Sequence, residues 1–261
     1  MLRLIEPNDG EILLNGENIL KYKWQERKKI HKNMQMIFQD PYASLDPRML
    51  IKNIIAEPLE VCEPELSKKE VEERIYEIID LCGLSRDTLE KYPFEIDSGF
   101  RQRVGISRAM IVKPSFIVCD EPVSALDVSI QAQILNTLDK LSKKNDLSYM
   151  FITHDLAVVR HISQKIMVMY MGCVVEYTDT EELFSHPLHP YTKALLASVP
   201  TIDLSLRNKP LELLKGEVTS PVNPPAGCRF KARCPYACEE CSRTMTLKEA
   251  TPGHFVSCIR I

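Results

Sequence analysis

The stretch Phe116–Asp127, FIVCDEPVSALD, decides the fold. Its apolar run, Phe116 to Cys119, leads directly into two adjacent carboxylates, Asp120 and Glu121, and then Pro122. A short continuous apolar run closed by a turn residue reads as a strand buried on both faces. Burying the two acids unpaired is costly, so the end of this strand should face something positive or phosphate-bearing. In open α/β sheets, ligands gather at the carboxyl ends of the strands.

Working outward, MQMIF (34–38) reads as another strand, followed by the loop QDPYASLDP (39–47). Ser67 and Glu70 form a capping-box pattern, Val71, Ile75, Ile78 and Ile79 make one apolar face, and Gly83 can end the helix. A second helix starts near Asp97 and runs to Val112, where Pro114 prevents continuation. Past the opening stretch, Ile130, Ile134, Leu138 and Leu141 fall on one helical stripe. YMFIT (149–153) is a strand ending at His154, and KIMVMYMG (165–172) is a further one. Strands alternating with helices predict an α/β fold with a mostly parallel sheet and helices on its faces. Near the start, EILLNGENI (11–19) reads as two short strands around Asn15-Gly16, with nothing ahead of it to pack upon. From Pro200 onward prolines and charges thicken. The expected division is therefore a domain over 1–200, with a helical part at about 51–112, and a linker and tail over 201–261.

The 261 residues are 44% hydrophobic and 26% charged, with a net charge of −3, the balance of an ordinary globular protein. No basic excess points to nucleic acid. No apolar stretch approaches the ~20 residues that span a bilayer, and no export signal is evident, so the expected compartment is the cytoplasm. Of nine cysteines, Cys62, Cys82, Cys119 and Cys173 read as small buried hydrophobes. Cys228, Cys234, Cys241 and Cys258 are spaced C-x5-C-x6-C-x16-C, with Cys238 as an extra thiol. Four thiolates can hold an iron–sulfur cluster or a zinc ion, and spacing does not choose between these or unmetallated thiols.

Taken together, FIVCDEP, SALD (Ser124 to Asp127), FITHD and QMIFQDP resemble the Walker B strand, D-loop, switch-histidine segment and Q-loop of ABC transporter ATP-binding subunits. FQDPYASLDPRM, HPLHPYTKALLASVP and PVNPPAGCRFKARCP make the resemblance closest to the oligopeptide and dipeptide importers. That family implies a P-loop NTPase-like (RecA-like) fold with a helical subdomain and a cysteine-bearing C-terminal tail. It also implies roles: Asp120 would hold Mg²⁺, Glu121 would act as general base on water, His154 would contact the γ-phosphate, and Gln39 would couple Mg²⁺ and water to the membrane partner. Ser124 and Asp127 would lie where two such subunits close head to tail over ATP. The implied partners are a second ATP-binding subunit, two transmembrane permease subunits and an external substrate-binding protein, with this chain peripheral on the inner face of the membrane. In the tail, the family's expected occupant is a [4Fe-4S] cluster.

Two departures from the family pattern stand out. G-x-x-x-x-G-K-[ST], whose backbone and lysine cradle phosphates, is absent from these residues. In the family it lies just before a segment like LRLIEP, here starting at Leu2, so the expectation is a chain beginning after its main phosphate grip. The second departure is at Ile96–Phe100, IDSGF, where the family carries L-S-G-G-Q. Asp97 takes the place of the serine, Ser98 that of the first glycine and Phe100 that of the glutamine, leaving Gly99. Asp97 suits a helix cap but not a phosphate ligand, because two like charges ~4 Å apart repel by roughly 4 kcal/mol at an effective dielectric of about 20. The expectation is a polypeptide that does not hydrolyse ATP by itself. The competing reading is a non-catalytic remnant, or half of a split gene product, that only occupies a place in the ATPase dimer. A soluble ABC ATPase acting in translation or repair is opposed by the importer-type tail.

Overall fold

The structure, a computed structural model, describes residues 2–199, 216, 220 and 222–261. The chain forms two compact units, Met1–His154 and Asp155–Ile261. The expected linker over 201–215 lies outside the described residues.

In the first unit, β1 (Leu13–Leu14) and β2 (Glu17–Asn18) form a hairpin. Its two turn residues take positive φ, 52° at Asn15 and 82° at Gly16, as the primed hairpin turn requires. Ile12 and Leu14 pack on Ile19, Ile30 and Met34, partners that follow the hairpin in the chain. Ile30 lies in helix α1 (Arg27–Asn33) and Met34 opens strand β3 (Met34–Ile37), while Ile19 directly follows β2. Then follow α2 (Ile51–Cys62), α3 (Lys68–Cys82), α4 (Ser98–Met110), β4 (Phe116–Asp120), α5 (Val128–Asn145) and β5 (Ser148–Ile152).

The parallel sheet has the order β3-β4-β5. Central β4 buries Ile117 and Cys119 completely, which is why its sequence is apolar on both faces. The register pairs Ile37 with Cys119 and Asp120 with Ile152, so the carboxyl ends of all three strands are level. The residues just beyond them, Gln39, Glu121 and His154, are thereby brought to one end of the sheet.

Helices α2, α3 and α4 pack on one another. The start of α3 is secured by the predicted capping box, with Glu70 Oε2 accepting from Ser67 N at 2.8 Å, and Gly83 at φ 68° ends it. This helix buries Ile75, Ile78, Ile79 and Cys82, whereas Val71 is only half-buried.

The second unit contains α6 (Leu156–Ile162), β6 (Lys165–Tyr170), β7 (Cys173–Asp179), α7 (Thr180–Ser185), α8 (Pro190–Ala197), β8 (Lys248–Thr251) and β9 (His254–Val256). Its sheet is antiparallel throughout, in the order β6-β7-β9-β8. The KIMVMY strand therefore does not extend the parallel sheet. Tail strand β9 pairs directly with β7, with Glu176 opposite Val256. Tail residue Phe230 is buried among Ile166, Val168, Tyr170, Val175 and Leu183, with its ring edge-on to Tyr170 at 5.3 Å between centroids. Among the described residues, no helix is long and apolar enough to cross a membrane.

Candidate functional site

Glu121 is the hub of the site at the end of the parallel sheet. The chain turns sharply there: Glu121 has φ 43°, a left-handed conformation that costs a non-glycine residue on the order of 1–3 kcal/mol and clusters at functional sites. The turn is fastened on both sides. Glu121 N donates to Ile152 O at 2.9 Å, and Ser124 Oγ donates to Glu121 O at 3.1 Å.

Both oxygens of the Glu121 side chain are held. Gln39 Nε2 donates to Oε2 at 2.9 Å, and His154 Nδ1 lies 3.0 Å from Oε1. One residue from beyond each of three adjacent strands thus meets in a single cluster. The histidine side chain is 73% exposed and the Glu121 side chain 24%, so the cluster faces solvent. Beside it, Asp120 is half-buried, and among the described residues its carboxylate joins no hydrogen bond or ion pair. The arrangement can orient a water molecule against Glu121 and leaves Asp120 open to a hard cation.

The remaining expected site residues of this unit sit at helix starts. Asp127 caps α5, Oδ1 accepting from Ile130 N at 3.1 Å. A hydrogen bond from the Ser129 hydroxyl, joined by that backbone bond, holds the Asp127 carboxyl below its usual range. Asp97 caps α4, its Oδ1 accepting from Phe100 N at 2.9 Å. Ser98 and Phe100 are exposed, while Gly99 is buried. A Cβ built on Gly99 would fall 2.8 Å from Ile130 Cγ2, so this glycine lets the first turns of α4 and α5 touch. Within this unit, the structure brings Gln39, Glu121 and His154 into direct contact; no hydrogen bond joins Ser124 or Asp127 to the Glu121 carboxylate.

In the second unit, Cys228, Cys234, Cys241 and Cys258 line one cavity together with His189 and Phe230. Burial pushes the Cys228 and Cys234 thiols up, and the neighbouring cysteines push the same way. Among the described residues, no three His, Cys, Asp or Glu side chains are grouped closely enough to hold one metal ion. Next to this cavity lies a polar cluster that no motif announces. Glu176, fully buried, accepts from Leu188 N at 2.7 Å, from His189 N at 2.9 Å and from His254 Nε2 at 2.7 Å. Its one sequence signal is a charged residue within a strand whose other inward positions are apolar or hydroxylic.

Comparison with known proteins bears on both units. Residues 1–124 match the family model described as ABC transporter, and residues 175–241 match that of the oligopeptide/dipeptide transporter, C-terminal region. The oligopeptide transport ATP-binding protein OppF of Salmonella typhimurium is 48% identical over 262 residues, covering 100% of this chain and 78% of that protein. The chain belongs to the ABC transporter family, in its oligopeptide/dipeptide branch. Another member, the oligopeptide transport ATP-binding protein AppF of Bacillus subtilis, is 46% identical over 262 residues, 99% of this chain and 79% of that protein. Among solved structures, a dimeric ATP-binding cassette in a post-hydrolysis state bound to ADP and Pi has a TM-score of 0.61 at 25% identity, covering 68% of this chain and 76% of that one. Another, cbiO1 from Clostridium perfringens, part of the ABC transporter complex cbiONQ, shares the fold with a TM-score of 0.63 at 22% identity over 71% of this chain and 72% of that one. The P-loop NTPase fold of the ABC ATPases accounts for the three parallel strands that set Glu121 between Gln39 and His154 in this ABC chain.

Proposed function

We propose that this chain is the ATP-binding subunit of a peptide import system. It sits on the cytoplasmic face of the membrane against two permease subunits and pairs head to tail with a second ATP-binding subunit. An external substrate-binding protein delivers the peptide. The relatives' names, oligopeptide transport ATP-binding proteins, supply the substrate class. The observation that carries the reading is the Glu121 carboxylate gripped at both oxygens by Gln39 and His154.

In this reading Glu121 takes the proton from the water that attacks ATP. The contacts to Gln39 and His154 hold the carboxylate in one orientation, so the base meets that water without first reorganising. Asp120, with its carboxylate free of hydrogen bonds among the described residues, fits Mg²⁺. The ion would neutralise charge on the phosphate oxygens. Ser124, Asp127 and the Asp97–Phe100 turn form the surface presented to the second subunit.

A second reading, occupancy of a dimer position without turnover, is favoured by Asp97 in the position where the family carries a serine. Glu121→Gln in the reconstituted importer separates the two. Loss of a general base lowers ATP turnover by about 10²–10⁴-fold; an unchanged rate establishes the structural role.

For the tail we propose an iron–sulfur cluster in place of a single zinc ion. Cys228, Cys234, Cys241 and Cys258 line one cavity, and four thiolates are the ligand set that such clusters take. Anaerobic purification should yield brown protein, and Cys234→Ser should remove the visible absorbance.

A further inference from the structure

The fifth tail cysteine is outside the set lining that cavity. Cys238 Sγ lies 3.5 Å from Cys241 Sγ, at the start of the helical turn Glu239–Ser242. The pair has the C-x-x-C spacing used by dithiol–disulfide couples. Cys238 is partly exposed, whereas Cys241 is buried against the cavity. The backbone of the turn is pinned: Cys241 N donates to Cys238 O at 3.2 Å, and Cys228 N donates to Cys241 O at 2.8 Å. Gly227 is pressed on the same turn, since a Cβ there would meet Cys241 O at 2.2 Å. From 3.5 Å the two sulfurs need only approach by about a further 1.5 Å to reach the roughly 2.05 Å of a disulfide.

We propose that Cys238 and Cys241 form a reversible redox couple whose oxidation withdraws the Cys241 sulfur from the four-thiol cavity. The oxidant class is a small-molecule disulfide such as glutathione disulfide. Cys238 thiolate attacks one sulfur of the oxidant and expels a thiolate, leaving a mixed disulfide. Cys241 then attacks the Cys238 sulfur and expels the second thiolate. The two protein thiols lose two electrons and two protons, and the oxidant leaves as two thiols. Cytosolic disulfides of mesophiles are usually transient, catalytic or sensing, which suits an exposed partner that can be reduced again. The couple stands on the geometry of the two sulfurs. Its consequence for cofactor loading rests on the cluster reading above, because oxidation leaves three of the four cavity thiols.

The test treats metal-free, reduced protein with glutathione buffers of rising oxidation, followed by alkylation and mass spectrometry. Trypsin releases Cys234–Arg243, which holds three cysteines. The expected product is linked between Cys238 and Cys241, so fragmentation proceeds between 234 and 238 but not within 238–241. Cys238→Ser should lower the oxidised fraction of Cys241 by about a hundredfold, since an intramolecular partner is lost, while Cys234→Ser should leave the couple intact. Linkage of Cys238 to Cys234, or free thiols at both positions in the most oxidising buffer, overturns the proposal. In a separate arm, oxidised wild type should fail to take up iron and sulfide while oxidised Cys238→Ser still does. Failure of both proteins to load even when reduced removes the cluster reading and leaves the couple to be judged by the linkage map.

Discussion

Asp97 puts a negative charge where helix α4 needs a cap and where the family places a phosphate grip. As a cap it is well made, with Oδ1 accepting from Phe100 N at 2.9 Å, and the positive end of a helix favours an acid there. Serine caps about as well as aspartate, whereas alanine costs about 1 kcal/mol. Asp97→Ser should therefore leave the urea midpoint nearly unchanged, and Asp97→Ala should lower it. If charge at this position weakens the hold on the partner's ATP, turnover by the reconstituted importer rises with both serine and alanine, which remove the charge, and rises more with serine, which restores a hydroxyl. Equal rates for wild type and Asp97→Ser exclude that role. The cap itself is legible in the sequence, because an acid three residues before a free backbone N–H is local chemistry. The left-handed turn at Glu121 is not legible there, since its fastening partner Ile152 lies across the sheet.

Between elements, the tightest point at this site is Gly99 against Ile130. A methyl group at 99 would sit 2.8 Å from Ile130 Cγ2, so Gly99→Ala should destabilise by about 1–3 kcal/mol as overpacking does. Ile130→Ala removes the obstructing carbon, and in that background the added cost of Gly99→Ala should largely vanish. Urea unfolding of the four proteins in this cycle measures the coupling. Elements with local punctuation are readable from the residues alone: α3 from Ser67, Glu70 and Gly83, and the β1–β2 hairpin from Asn15-Gly16. Strand β6 defeats that reading for a physical reason. Its burial alternates, with Ile166, Val168 and Tyr170 inside and Met167 and Met169 exposed at 52% and 54%. Methionine on the solvent face hides the period of two that marks a one-sided antiparallel sheet, so the run has the pattern of a strand buried on both faces.

At the scale of the whole molecule, the tail is set apart by composition but is built into the second unit by contacts that span long stretches of chain. Glu176 in β7 and His254 in β9 meet at 2.7 Å across 78 positions, a juxtaposition that no local pattern encodes. The same glutamate fixes the backbone at His189, whose ring starts α8: Nδ1 accepts from Tyr191 N at 3.1 Å. An accepting Nδ1 carries no proton, so this cap requires the neutral imidazole. Burial pushes His189 down to about 4, against a smaller opposing pull from Glu176, while in the unfolded chain a histidine titrates near 6.5. Between these values the unfolded state binds a proton that the folded state does not, so stability falls as pH falls. The contribution is complete above pH ~6.5 and declines toward pH ~4. Its total is about 3 kcal/mol, because the folded and unfolded titration points lie about 2.5 pH units apart and each unit is worth about 1.4 kcal/mol. Hydrogen exchange at the Tyr191 amide, corrected for intrinsic rates, should show protection that weakens across this window. His189→Asn retains a cap acceptor and does not titrate, so its protection should be flat over the same range. A variant that keeps the wild-type slope assigns the pH dependence to another group, whereas a flat profile ties the start of α8 to the charge state of this one ring.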